Sequence, residues 1–182
     1  MQIKRLARNF YTKPTLGVAK NLLGKYIVRK WRGKKLKGMI VETEAYIGPQ
    51  DRASHAYRWK ITNRNKVEYL AGGRVYIYLV YGMYWQLNIV TNRKGHPECV
   101  LIRAIIPDDL EFKSLVNGPG KLCRYLKLDK SFYAENLIKS KRIWLEDRGI
   151  KIKPKDILAT PRIGIDYAGP YWAKRKWRFL IK

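Results

Sequence analysis

The sequence predicts an α+β fold in one domain, residues 1–182, built around a mainly antiparallel sheet. Three observations carry this reading. The chain has 182 residues, enough for one domain to bury a core. It has no internal repeat, low-complexity tract or long Ser/Gly linker. Short stretches with strand character follow one another through turn signals, with a few helical stretches among them.

In chain order, Thr12-Lys13-Pro14 reads as a helix start, with Thr12 as N-cap and the proline just inside. Leu16, Ala19, Leu22 and Leu23 continue with helical spacing, and Gly24 stops it. Lys25 to Trp31 and Leu36 to Tyr46 read as strands joined at Arg32-Gly33-Lys34-Lys35. Residues 47–73 are loop-rich, with a short helix around Lys66 to Leu70; long irregular segments in compact domains are usually functional. Arg74 to Val80, Trp85 to Thr91 and Cys99 to Ile106 follow as strands. Helices are expected near Asp109–Val116, Pro119–Leu126 and Ala134–Ser140. Asn117 is expected to cap the second of these, where free N–H groups could meet a phosphate. Strands near Arg142–Leu145, Arg162–Ile165 and Arg178–Ile181 close the chain.

The formal net charge is +25 and the sequence pI about 10.2. Such a chain repels itself, and an anionic partner relieves the repulsion; nucleic acid is the commonest, an anionic membrane surface the second. No apolar run is long enough to span a bilayer. No apolar h-region follows the basic start, so the expectation is an intracellular protein, cytoplasmic or at the nucleoid, and not secreted. Cys99 and Cys123 lie far apart in apolar patterns and read as small core residues rather than metal ligands. With only His55 and His96, a His-rich metal site is excluded, and no metal or other cofactor is expected.

The first acidic residues are Glu42 and Glu44, after forty-one residues that contain none. In a strand Glu42, Glu44 and Tyr46 share a face. Two like charges on one face repel, so one should pair with a cation while the other keeps a free function; simple surface ion pairing is the alternative. Arg103 stands in the apolar run Val100 to Ile106 and needs an anionic partner, for which Glu42 and Glu44 are candidates. Four tyrosines and a tryptophan crowd Tyr76 to Trp85. Tyr76 and Tyr78 share a face, and Gly82 permits a turn that would leave Tyr81 at an exposed tip. The cluster suits a core or a platform for stacking bases.

These segments, taken in order, resemble the alkyladenine (3-methyladenine) DNA glycosylase family. The resemblance rests on Val41-Glu42-Thr43-Glu44-Ala45-Tyr46 with His55 nine residues on, Thr62-Asn63-Arg64-Asn65, and Tyr76 to Tyr84 followed by Asn88. It continues through Leu101-Ile102-Arg103-Ala104 and Asn117 to Cys123, then more loosely through Arg162 to Ile165 and Trp177-Arg178-Phe179. It implies a curved sheet flanked by helices, with a β-hairpin projecting toward DNA. It implies a monomer acting on double-stranded DNA that contains a damaged purine, without strand cleavage and without a cofactor. Glu44 would activate water and Arg103 would hold both in place. Tyr46, His55 and Tyr78 would sandwich the flipped base, and Asn88 would line the pocket floor. Tyr81 would wedge into the duplex, helped by Met83 and Tyr84, and Glu42 would be structural. Gln50 and Arg52 depart from the often acidic residues of the loop before His55, and Trp85-Gln86-Leu87 is bulkier than the family pattern. A non-catalytic basic nucleic-acid-binding module would use the same charge and aromatics with Glu44 as a structural residue.

Overall fold

The computed structural model describes residues 3–108 and 115–182. Among these, the strands are β1 (Lys4–Arg5), β2 (Tyr26–Trp31), β3 (Lys34–Ile47), β4 (Val75–Val80), β5 (Tyr84–Val90), β6 (Glu98–Pro107), β7 (Val116–Asn117), β8 (Ile143–Asp147), β9 (Ile157–Thr160) and β10 (Arg178–Ile181). The helices are α1 (Arg8–Tyr11), α2 (Thr15–Leu22), α3 (Pro119–Tyr125) and α4 (Pro170–Ala173). The strands form an open antiparallel sheet in the order β1-β8-β2-β3-β6-β5-β4, and the fold is α+β. On it, β10 joins β3, β9 joins β10, and β7 joins β6. No helix among the described residues is long and apolar enough to cross a membrane.

The hairpin of β2 and β3 turns on Arg32 and Gly33, with φ of 45° and 78°. Two residues at positive φ match the right-handed twist of the flanking strands, so Lys34 and Lys35 belong to the strand rather than the turn. On β3, the register against β6 shifts around Glu42, where a bulge bends the strand.

Cross-strand pairing fixes which residues face the core. Ala45 pairs with Val100, Val100 with Ile89, and Ile89 with Val75. Paired residues share a face, so this row, all fully or almost fully buried, turns to one side of β3-β6-β5-β4. The apolar stripe of α2 (Val18, Ala19, Leu22) and Leu122 and Cys123 of α3 pack into the same cluster. Thr43 donates to the Ala19 carbonyl at 2.9 Å, tying α2 to β3.

Four sequence expectations are corrected. Thr12 ends α1, its N–H bonded to the Arg8 carbonyl, and Pro14 precedes α2 at Thr15. A residue before proline is disfavoured in the helical region, so an extended step separates the two helices. Asn117 does not cap α3; it pairs with Ala104, and Gly118 occupies the cap position at φ 106°. Residues 134–140 form turns instead of a helix, because the edge of β4 claims their backbone. The Ala134 N–H bonds to Val75, the Val75 N–H to Glu135, and the Leu137 N–H to Gly73. Arg162–Ile165 is not a strand; the strand is β9, and Pro161 follows its last residue, where pairing with β10 stops. The helix expected near Asp109–Val116 falls on 109–114, outside the described residues, and Val116 itself is in β7.

Gly72 lies where three segments meet: its N–H bonds to the Asn92 carbonyl, and Arg8 reaches its carbonyl at 2.5 Å. A Cβ there would stand 2.7 Å from the Tyr11 carbonyl oxygen. Gly72→Ala must displace backbone and should cost about 1–3 kcal/mol, read as a lower midpoint in urea unfolding with unchanged slope.

Candidate active site

The opposite face of the same strands carries the predicted site. Tyr76 pairs with Asn88, Asn88 with Leu101, Leu101 with Glu44, and Glu44 with Arg178. One row of side chains thus crosses β4, β5, β6, β3 and β10, and alternation adds Tyr78, Arg103 and Tyr46 beside it. Over this face opens a cavity of about 720 Å³, a size typical of ligand pockets. Tyr46, His55, Tyr78, Asn88 and Arg103 line it, and Tyr81 and Tyr84 join them from the hairpin of β4 and β5.

That hairpin closes through Tyr81-Gly82-Met83, with Tyr81 at φ 52° and Gly82 at φ 68°. Tyr81 is 86% exposed at the tip. Met83 is exposed on the same loop but does not line the cavity. Tyr84 packs on Gly120 at the start of α3, where a Cβ would come within 2.8 Å of its ring.

Glu44 has no exposed surface and does not itself line the cavity; Tyr46, Arg103 and Ile163 stand in front of it. Its Oε2 accepts from the Tyr46 hydroxyl at 2.8 Å, and its Oε1 from the Ile163 N–H at 2.9 Å. The Arg103 Nη1 lies 3.4 Å from Oε1. Burial raises the Glu44 pKa above the usual carboxylate value, against the opposing pull of Arg103, the Ile163 N–H and the Tyr46 hydroxyl. Glu42 takes two arginines: its Oε1 accepts from Arg103 Nε at 2.8 Å and from Arg178 Nε at 2.5 Å. Arg103 is therefore held by Glu42 through one nitrogen while another faces Glu44.

His55 projects from the loop after β3, its ring 4.8 Å from that of Tyr78 at a steep angle. Its Nδ1 lies 2.6 Å from the buried Tyr76 hydroxyl. Desolvation by the surrounding atoms, with Arg64 and Lys60 nearby, pushes its pKa down to about 4. The imidazole is neutral at neutral pH, and Tyr76, whose pKa burial raises, remains a phenol. The tautomer of the ring sets the direction of this bond: the phenol donates when the proton sits on Nε2, and Nδ1 donates when it carries the proton itself.

Sequence reasoning missed what holds these parts together. Arg162 and Asp51, both fully enclosed at the side chain, form a two-point pair at 2.5 and 2.9 Å. Arg162 also donates to the Ala45 carbonyl at 2.9 Å and lies over the Tyr46 ring, 4.7 Å from its centroid. Asp51 accepts from the Ala53 N–H at 3.0 Å, two residues before His55. The pair ties the segment of Ile163 to the strand of Tyr46 and the loop of His55. The only signal in the sequence was an arginine amid apolar residues, Pro161 to Ile165. Asp51→Asn leaves the buried guanidinium uncompensated and should cost roughly 3–5 kcal/mol, measured by urea unfolding at neutral pH.

A sequence model of the family described as methylpurine-DNA glycosylase (MPG) matches residues 9–182. A relative from Clostridium perfringens (strain 13 / Type A) is 44% identical over 197 residues, covering 98% of this chain and 96% of its own length. One from Methanocella arvoryzae is 42% identical, covering 97% of this chain and 92% of its own. One from Bdellovibrio bacteriovorus is also 42% identical, covering 97% and 95%. All three carry the name "Putative 3-methyladenine DNA glycosylase". The chain belongs to the methylpurine-DNA glycosylase family.

Proposed function

We propose that this protein is a DNA-repair glycosylase. It takes a damaged purine, rotated out of duplex DNA, into the cavity and hydrolyses its N-glycosidic bond with water activated by Glu44, leaving an unbroken strand with an abasic site. The observation that carries the reading is a buried, raised-pKa carboxylate set directly behind an aromatic, arginine-lined cavity.

Each part has a physical task. Extruding a base costs a few kcal/mol, less for a damaged one. Stacking against aromatic rings returns about 1–3 kcal/mol per base, and Tyr46 and Tyr78 offer the faces. A cationic alkylpurine gains further from those electron-rich rings and leaves as a neutral base. Tyr81, exposed on its turn, fills the gap left in the duplex. Asn88, buried on the floor with its amide donating to the Gln86 carbonyl at 3.2 Å, limits which purine edges fit. As C1′ becomes oxocarbenium-like, Glu44 stabilises the charge and accepts the water proton. Because Glu44 sits behind Tyr46, Arg103 and Ile163, the water enters between these groups, and Arg103 orients it.

A base must be ionised to act. Release of a cationic purine should therefore rise with pH through the Glu44 pKa, with the acid limb above the ordinary carboxylate range. Glu44→Gln should lose about 10²–10⁴-fold in single-turnover release of 7-methylguanine from a duplex and lose the limb, while binding the duplex nearly as well. Release at the wild-type rate by this variant would favour the structural role for Glu44 that its complete burial also permits. Tyr81→Ala should reduce the 2-aminopurine fluorescence change that reports flipping more than it reduces affinity for undamaged duplex; unchanged flipping would remove the wedge.

A further inference from the structure

Acidic residues are scarce here, and the first four along the chain, Glu42, Glu44, Asp51 and Glu68, are all buried. Three of them meet arginine: Glu42 and Glu44 meet Arg103, and Asp51 meets Arg162. Glu68 does not. It lies on a single 3-10 turn, Lys66–Tyr69, is 1% exposed, and lines the cavity with Tyr76, Tyr78, Asn88 and Cys99. Its Oε2 has no hydrogen-bond partner among the described residues.

The groups around it are neutral at neutral pH. The Cys99 thiol of β6 lines the same wall and donates to the Asn88 Oδ1 at 3.8 Å, and burial raises that thiol far above its usual value. Tyr76 and Tyr78 of β4, Tyr133, and Tyr69 on the same turn are also raised by burial and stay phenols. Arg64 lines the cavity as well, its guanidinium 5.9 Å from the centre of the Tyr78 ring. A carboxyl desolvated without a cation keeps its proton, and burial pushes Glu68 up to about 8. The chain thus sets a second carboxyl, in the acid form, at the wall of the cavity that Tyr46, Arg103 and Ile163 also line and that buries Glu44 beside them.

We propose that Glu68 is the general acid of this site for uncharged damaged purines, giving its carboxyl proton to a ring nitrogen of the bound base. The inference rests on the glycosylase reading above. A cationic alkylpurine leaves neutral without help; an uncharged one must take a proton or depart as an anion. As the bond from C1′ to the base breaks, its electron pair goes to the base, which accepts the Glu68 proton and leaves neutral. C1′ takes the oxygen of water, and the water's proton goes to Glu44. One water is consumed, Glu68 ends ionised and Glu44 protonated, and exchange with solvent restores both. The leaving base therefore needs a residue in the acid form and the water one in the base form, which different surroundings supply to two carboxyls.

The test compares single-turnover release of hypoxanthine (uncharged) and 7-methylguanine (cationic) from otherwise identical duplexes across pH, with wild-type protein and Glu68→Gln. The amide keeps the shape and can donate a hydrogen bond, but it has no proton to transfer. Expected is a loss of about 10²-fold or more for hypoxanthine, with 7-methylguanine within a few-fold of wild type. The wild-type hypoxanthine rate should fall as pH rises past about 8, without a matching fall for 7-methylguanine. An equal loss for both bases, no loss for either, or a wild-type protein that releases only the cationic base would overturn the role of Glu68. Should the variant fail to fold, the two wild-type pH profiles decide, and identical alkaline behaviour overturns it. Release of neither base by wild-type protein would sink the glycosylase reading beneath it, a failure distinct from the others.

Discussion

The Glu44 carboxylate has no exposed surface, and the surrounding structure is arranged to make that tolerable. A charge removed from water must be met by hydrogen bonds and opposite charge or it neutralises. Here the partners come from separate stretches: Tyr46 two residues on, Arg103 from β6, and the Ile163 N–H from the segment after β9. Arg103 is fixed in turn by Glu42, which also holds Arg178 on β10. One buried carboxylate therefore fixes the relation of β3, β6, β10 and the segment around Ile163. Burial still outweighs these partners and leaves the group more basic than a solvated glutamate, which suits a group proposed to take a proton.

The Arg162–Asp51 pair completes the arrangement from the other side. It is closed, two-pronged and fully enclosed, and a buried pair of this kind adds geometric definition more surely than stability. Its contacts with Ala45 and the Tyr46 ring place the aromatic that both bonds Glu44 and faces the cavity. The +25 chain thus spends its earliest acidic residues in the interior, three against arginines and one, Glu68, against neutral groups. Burial raises both carboxyls, but Glu44 alone meets a cation, a backbone N–H and a hydroxyl that oppose the rise.

What was legible in the sequence follows from the range of the interactions involved. The main strands announced themselves through alternation, and the β2–β3 and β4–β5 hairpins through glycines at positive φ. Glu44 and Arg103 could be picked out because an acid in a basic strand and an arginine in an apolar strand each violate their local pattern. Thr12 and Asn117 misled because a capping side chain looks the same whether or not the next residues are helical. Residues 134–140 have helical character locally, yet the unpaired edge of β4 binds their backbone more usefully. Asp51 was invisible because its partner lies 111 residues away and nothing beside it hints at burial. Glu68 was hidden in the same way: a glutamate on a short turn looks solvated until β4 and β6 are packed against it.

In the proposed reaction the cavity receives a purine from duplex DNA, with Glu44 behind the water that attacks it. A crystal structure of the protein with a duplex carrying one 2′-fluoro-stabilised 7-methylguanine tests this most directly. The purine should lie between Tyr46, His55 and Tyr78, with Tyr81 in the vacated stack and a water bridging Arg103 and Glu44 near C1′. A purine left stacked in the duplex, or seated in the cavity with C1′ turned away from Glu44, would contradict it.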